Sequence, residues 1–188
     1  MSRVPFYPAR PFTSPGASGQ SVFANWACEP KANGWRFLYN PETGECWNRK
    51  GSPFTQPILP IQQWYGAKEC WLDCELLGRR TKSGAGSVLV IDCILKGGDT
   101  APYAERRLRY ENLPEIPYDD IPTNALMRFP SFAHSEALGE IETMKEVNTL
   151  RNEVVWEGLV LKHPRSTYPI QRRSPDTETR YWGKCRFI

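Results

Sequence analysis

The chain has 188 residues, 40% of them apolar, which suits one ordinary core and excludes two large domains. A formal net charge of +3 says little about partners, but the charge is unevenly placed: residues 134–160 hold six acids and two bases, residues 161–188 seven bases and two acids. No apolar run approaches a membrane span, the opening MSRVPFYPARPF lacks the apolar core of a secretory leader, and the six cysteines contain no C-x-x-C pair, so the expectation is an intracellular protein with reduced thiols, no membrane contact and no structural zinc.

Residues 1–20 carry Pro5, Pro8, Pro11 and Pro15 and read as an extended arm, ordered only where it packs on the domain expected over 21–188. WRFLYN and ECWNRK are strand-like runs separated by the turn signal PETG, which predicts a hairpin. QPILPIQQWYG reads as a short helix broken by prolines. CWLDCELLG and SVLVIDCIL read as two further strands around the glycine-rich RRTKSGAGS. TAPYAERRLRYENL is expected to be helical, with Thr100 as cap, Pro102 in the first turn and Pro114 as stop. SEALGEIETMKEVNTLRNE is the clearest helix, with Ser135 as cap and Leu138, Ile141 and Leu150 on one side. VVWEGLVLKH and RYWGKCRFI close the chain as strands. Strands in hairpins with two or three helices between them predict an α+β domain with antiparallel sheet.

The chemistry centres on EPKANGWR, residues 29–36. A lysine amine attacks an electrophile only when it has lost its proton, which burial or neighbouring positive charge promotes. Alone, Lys31 before a turn is ordinary surface decoration. Its weight comes from four downstream segments. WNRKG brings Arg49 to the end of the hairpin. LDCEL sets Asp73 and Glu75 on one side of a strand by the two-residue period. WEGLVLK supplies Glu157 and Lys162, and YWGKCR sets Lys184 and Arg186 on one face of the last strand. Each pair by itself is a polar sheet face; together they suit a nucleoside triphosphate, with cations for phosphates and carboxylates for a metal and sugar hydroxyls.

The ordered set EPKANGWR, WNRKG, WLDCELLG, VLVIDCI, EGLVLK and YWGKCR, from about Val22 to Arg186, resembles the collinear motifs of covalent nucleotidyltransferases: ATP-dependent DNA ligases, RNA ligases and mRNA capping enzymes. The resemblance implies an α+β, antiparallel-sheet, ATP-grasp-like adenylation domain. It implies that Lys31 attacks the α-phosphate of ATP to form lysyl–AMP and that Glu29 helps read adenine. Arg36 and Arg49 would bind ribose and phosphates, and Glu75 the ribose or a metal. Glu157 would serve Mg²⁺ (or Mn²⁺), while Lys162, Lys184 and Arg186 would neutralise the α-phosphate. Four positions depart from the pattern: Asn33 stands for the aspartate of K-x-D-G, Cys74 for a glycine, Arg186 for a lysine, and Ile91 for an aromatic that stacks on adenine, leaving adenine an aliphatic surface with Val160 opposite. The chain ends two residues after Arg186, so the OB-fold domain that follows in DNA ligases and capping enzymes is expected to be missing from it.

EGLVLKHPRSTYPIQRR is most similar to ATP-dependent DNA ligases, so the expected function is sealing of nicks in DNA by a monomer, with RNA ligase as the alternative. A nucleic-acid-binding module that has lost catalysis is the reading from another class, prompted by Asn33 and Ile91. The basic stretch 161–188, with Arg3 and Arg10 of the arm, is expected to touch phosphate backbone.

Overall fold

The computed structural model describes residues 5–13, 23–55, 69–170 and 174–187. Among the described residues ten strands form two mixed sheets. In chain order they are β1 (Arg10–Thr13), β2 (Ala27–Ala32), β3 (Trp35–Tyr39), β4 (Cys46–Asn48), β5 (Cys70–Leu76), β6 (Val88–Leu95), β7 (Leu126–Arg128), β8 (Phe132–Ala133), β9 (Trp156–Lys162) and β10 (Glu178–Arg186), with helices α1 (Tyr103–Leu108) and α2 (Ala137–Arg151). The first sheet has the order β1-β10-β9-β2-β8 and the second β4-β3-β5-β6-β7. Pairing is antiparallel except at two edges, where β1 runs parallel to β10 and β7 parallel to β6. The arm is therefore ordered where its residues 10–13 add a strand to the first sheet.

The expected hairpin is β3–β4, and the two strands around the glycine-rich stretch are β5–β6. β2 was not legible as a strand, because Pro30 interrupts it; proline lacks the N–H a ladder needs, and the strand tolerates it at a position that leaves both neighbours paired to β9. The expected helix over 56–66 lies outside the described residues.

Two helix expectations need correction. α1 is only 6 residues long and starts after Pro102, not at a Thr100 cap. In α2 the expected stripe is wrong: Leu138 and Leu150 are 60% and 77% exposed, while Ala137, Met144 and Val147 are buried and Ile141 packs beside them. A short 3-10 turn over His134–Glu136 precedes α2, so Ser135 does not cap it. The helix ends on Asn152 in the left-handed region (φ 51°), where Asn is among the few residues at ease. From the last turns, the Asn148 carboxamide accepts from the N–H groups of Val155 and Trp156 and donates to the Trp156 carbonyl at 2.7 Å, which fixes where β9 begins.

Three apolar clusters hold these layers. α2 packs on the first sheet through Met144, Val147, Leu159 and Leu161. The outer face of the second sheet buries Phe37, Leu72, Leu76 and Val90 against Tyr110 and Leu113. Between the sheets lie Leu38, Trp71, Ile94, Tyr168 and Trp182, with Phe6 and Ala9 of the arm. No helix among the described residues is long and apolar enough to cross a membrane.

Candidate active site

The chain passes from the first sheet to the second at the Asn33–Gly34 turn, and a cleft of about 670 Å³ opens between the sheets beside it. Gly34 permits the crossing: a Cβ there would lie 2.6 Å from Glu75 Cγ and 2.7 Å from the Leu76 carbonyl oxygen.

Strand register builds the cleft floor on the first sheet. Glu29 faces Val160, which faces Lys184; Lys31 faces Gly158, which faces Arg186; Lys162 faces Trp182. One face of β2, β9 and β10 thus presents most of the chemistry. Period-two alternation would send Glu157 with Leu159 and Leu161 into the core. Instead the register slips between Lys31 and Ala32, leaving Glu157 as an extra residue in β9. Gly158 allows it, with φ of 151° and a backbone so close to β10 that a Cβ would stand 1.9 Å from the Cys185 carbonyl oxygen. The bulge turns the Glu157 carboxylate onto the Lys31 ammonium, and Arg186 approaches the same oxygen at 3.3 Å.

A second bulge works in the opposite wall. Asp73 faces Asp92 and Cys74 faces Val90, so Ile91 is skipped. Its side chain lines the cleft and its carbonyl accepts from Lys162 Nζ at 2.8 Å and Tyr110 Oη at 3.0 Å.

The sequence-predicted residues Lys31, Glu29, Arg36, Arg49, Glu75, Ile91, Val160, Lys162, Lys184 and Arg186 all line this cleft, with Glu157 directly beneath Lys31. They are not equally free. Arg36 is bound by Asp73, with Nε donating to Oδ1 at 2.8 Å, and also donates to the Ala9 carbonyl. Tyr168 Oη donates to Asp73 Oδ2 at 2.7 Å and accepts from the Ala9 N–H at 3.0 Å, so the arm locks Arg36 in place. Glu29 is buried and receives Lys162 Nζ at 2.6 Å, Arg107 NH1 at 3.0 Å and the Tyr103 hydroxyl. Lys162 is itself fully buried between the rings of Tyr103 and Trp182, 4.7 and 4.5 Å from their centroids. Burial lowers its pKa, and Glu29 opposes that. Burial also lowers the pKa of Lys184, aided by Arg10, Arg186 and Lys31 and opposed by Glu178. Glu75 makes no ion pair among the described residues, and burial pushes its carboxyl up to about 7 against the pull of Lys31 and Arg36.

Neither a family model nor a curated protein sequence matches the chain. Solved structures do. A Lig E DNA ligase, described as binding DNA with a minimal scaffold, superposes with a TM-score of 0.63 at 14% identity, over 97% of this chain and 69% of its own. A mycobacterial DNA ligase D complexed with ATP matches at 0.62 and 17%, over 97% and 60%. An archaeal ATP-dependent RNA ligase matches at 0.56 and 14%, over 98% and 49%. Over the length it covers, the chain has the fold that these ligase structures share. The chain spans from about half to about two thirds of the length of these structures.

Several residues in and around the cleft escaped the sequence reading. Arg107 holds Glu29, and its neighbour Arg106 is wholly buried on Asp92, with Nε to Oδ1 at 2.8 Å and NH2 to Oδ2 at 2.9 Å. The adjacent pair of arginines was the available signal. Trp35, Lys50, Phe54 and Arg80 form an outer lip, and Phe129 and Trp182 line the interior. Asn33, where the motif usually has aspartate, donates Nδ2–H to the Val154 carbonyl at 3.0 Å. A carboxylate cannot make that bond, so the amide is chemically fitted to its place.

Proposed function

We propose that the chain carries out the adenylation chemistry of an ATP-dependent polynucleotide ligase, acting on nicked DNA in preference to RNA. The observation that carries the reading is the Lys31–Glu157 contact at a bulge, at the centre of a cleft whose walls supply Arg36, Lys184 and Arg186. Lys31 Nζ attacks the α-phosphorus of ATP; a P–N bond forms, the bond from the α-phosphorus to the bridging oxygen breaks, and pyrophosphate leaves. Before the attack the Lys31 ammonium gives one proton to the Glu157 carboxylate in contact with it, which frees the lone pair, and the nitrogen loses its second proton to solvent as the P–N bond forms. Arg186 and Lys184 lie on the same face and stabilise charge developing on the phosphoryl oxygens. Ile91 and Val160 present an apolar surface for adenine between the two sheets.

Mg²⁺ fits the residues present. Among the described residues no three His, Cys, Asp or Glu side chains gather as a self-sufficient metal site. Mg²⁺ needs only one or two carboxylates with substrate phosphates, and Glu75, an unpaired carboxyl raised to about 7, would hold it with Glu157. When bound, the ion would offset negative charge on the phosphates. The AMP would then pass from Lys31 to a 5′-phosphate at a break, and a 3′-hydroxyl would displace it.

The test mixes the protein with Mg²⁺ and ATP labelled on the α-phosphate, with Lys31→Ala beside it, followed by nicked DNA and nicked RNA. Acid-labile label on the wild-type polypeptide alone, transferred to DNA more than RNA, is expected. Equal label on Lys31→Ala would refute the nucleophile.

A further inference from the structure

The cations of the cleft fall into two tiers. Those on the inner floor are compensated: Lys31 by Glu157, Arg36 by Asp73, Lys162 by Glu29, and Lys184 and Arg10 by Glu178 at 4.0 and 3.8 Å. On the outer lip, formed by the second sheet and the turns that follow its strands, Arg49, Lys50 and Arg80 meet no carboxylate among the described residues; Arg80 NH1 donates to the Asn33 Oδ1 at 3.4 Å. Trp35, 39% exposed, lines the same lip from β3, the strand between β4, which runs on toward Lys50, and β5, which runs on toward Arg80. Alternation along β3 puts Trp35 on the face opposite Arg36, with Phe37, whose ring stacks on Phe54 at 4.8 Å. The indole therefore lies outside the nucleotide floor. A large exposed aromatic costs solubility, and uncompensated cations beside it attract a chain that alternates planar rings with negative charge.

We propose that this lip binds a single-stranded or frayed stretch of the nucleic-acid substrate beside the break, one unpaired base stacking on Trp35 and its flanking phosphates meeting Lys50 and Arg80. A base inside an intact duplex hides its face from such a platform, whereas an unstacked one offers it whatever its identity. The lip thus adds to the nick-binding cleft a contact with an unpaired strand beside the nick, which a fully paired duplex does not make. This rests on the ligase reading above.

The experiment measures self-adenylation, the KM for ATP and the affinity for an oligothymidylate and for a fully paired nicked duplex, by fluorescence anisotropy across salt. Trp35→Ala should lose about tenfold in affinity for the single strand, the size of one stacking contact, with self-adenylation unchanged and duplex affinity little altered. Trp35→Phe should keep most of the affinity. Lys50→Ala/Arg80→Ala should flatten the single-strand salt slope by about 1.4, two phosphates' worth. Unaltered single-strand affinity in Trp35→Ala, or equal losses on both substrates, overturns the proposal. So does a raised KM for ATP with strand affinity intact, which would put the indole against the nucleotide. Absence of lysyl–AMP in the wild type would instead refute the ligase reading.

Discussion

Glu29→Gln keeps the shape of a buried carboxylate and removes its charge. Lys162, fully buried, is left with the Ile91 carbonyl and two aromatic faces, and Arg107 loses its anion. Breaking a buried pair on one side costs about 3–5 kcal/mol, which for a chain of this length corresponds to a fall in Tm of about 6–20 °C. The cost is pH-dependent, and its sign is fixed. Burial already lowers the Lys162 pKa below its ordinary value of 10.5, and the charge of Glu29 resists this. Without that charge the folded-state value falls further. Between it and 10.5 the unfolded variant binds more protons than the folded variant, so the variant's stability rises with pH. Urea melts of wild type and Glu29→Gln from pH 6 to pH 10 should show a gap that is widest near neutrality and narrows on the alkaline side by up to about 1.4 kcal/mol per pH unit. A constant gap, or one below about 1 kcal/mol at pH 7, would refute the view that Glu29 serves chiefly to hold Lys162 charged.

Glu75 gives the opposite slope: its folded pKa of about 7 exceeds the ordinary 4.5, so its contribution to stability is full below pH 4.5 and lost as pH rises through 7, and urea midpoints should show that decline in wild type and not in Glu75→Gln. Glu157→Gln, which leaves Lys31 without a proton acceptor, should slow lysyl–AMP formation about 10²-fold or more, read as label per minute at saturating ATP. Asn33→Asp, although nearer the ligase pattern, should lose about 1–2 kcal/mol by replacing the donor to the Val154 carbonyl with an acceptor, and should not speed adenylation; a higher Tm would sink this account. Gly34→Ala should destabilise by about 1–3 kcal/mol and impair labelling, since its Cβ would press on Glu75 and the Leu76 carbonyl; normal labelling would show that the turn can give way.

The sequence by itself determined which residue types line the cleft. Lys184 and Arg186 share a face because β10 is regular there, and Asp73 and Glu75 share one because β5 is. The hairpin of β3 and β4 was legible from its turn, a local signal that needs no tertiary partner. What the pattern could not show is where regularity breaks. By alternation Glu157 belongs with Leu159 and Leu161 in the core; only the slip of register against β2, with Gly158 pressed on β10, brings it to Lys31. Likewise α2 buries Met144 and Val147, not Leu138 and Leu150, because the sheet it packs on, and not its own hydrophobicity, selects the buried stripe. The charges divided in the same way. The motif resemblance makes Lys162 and Arg36 phosphate cations, yet each is held by a carboxylate distant in sequence, since a buried charge must find its counter-ion. Which cations remain open to an anion is therefore a property of the packed sheets: a pairing made across the fold leaves no mark on the local run of residues.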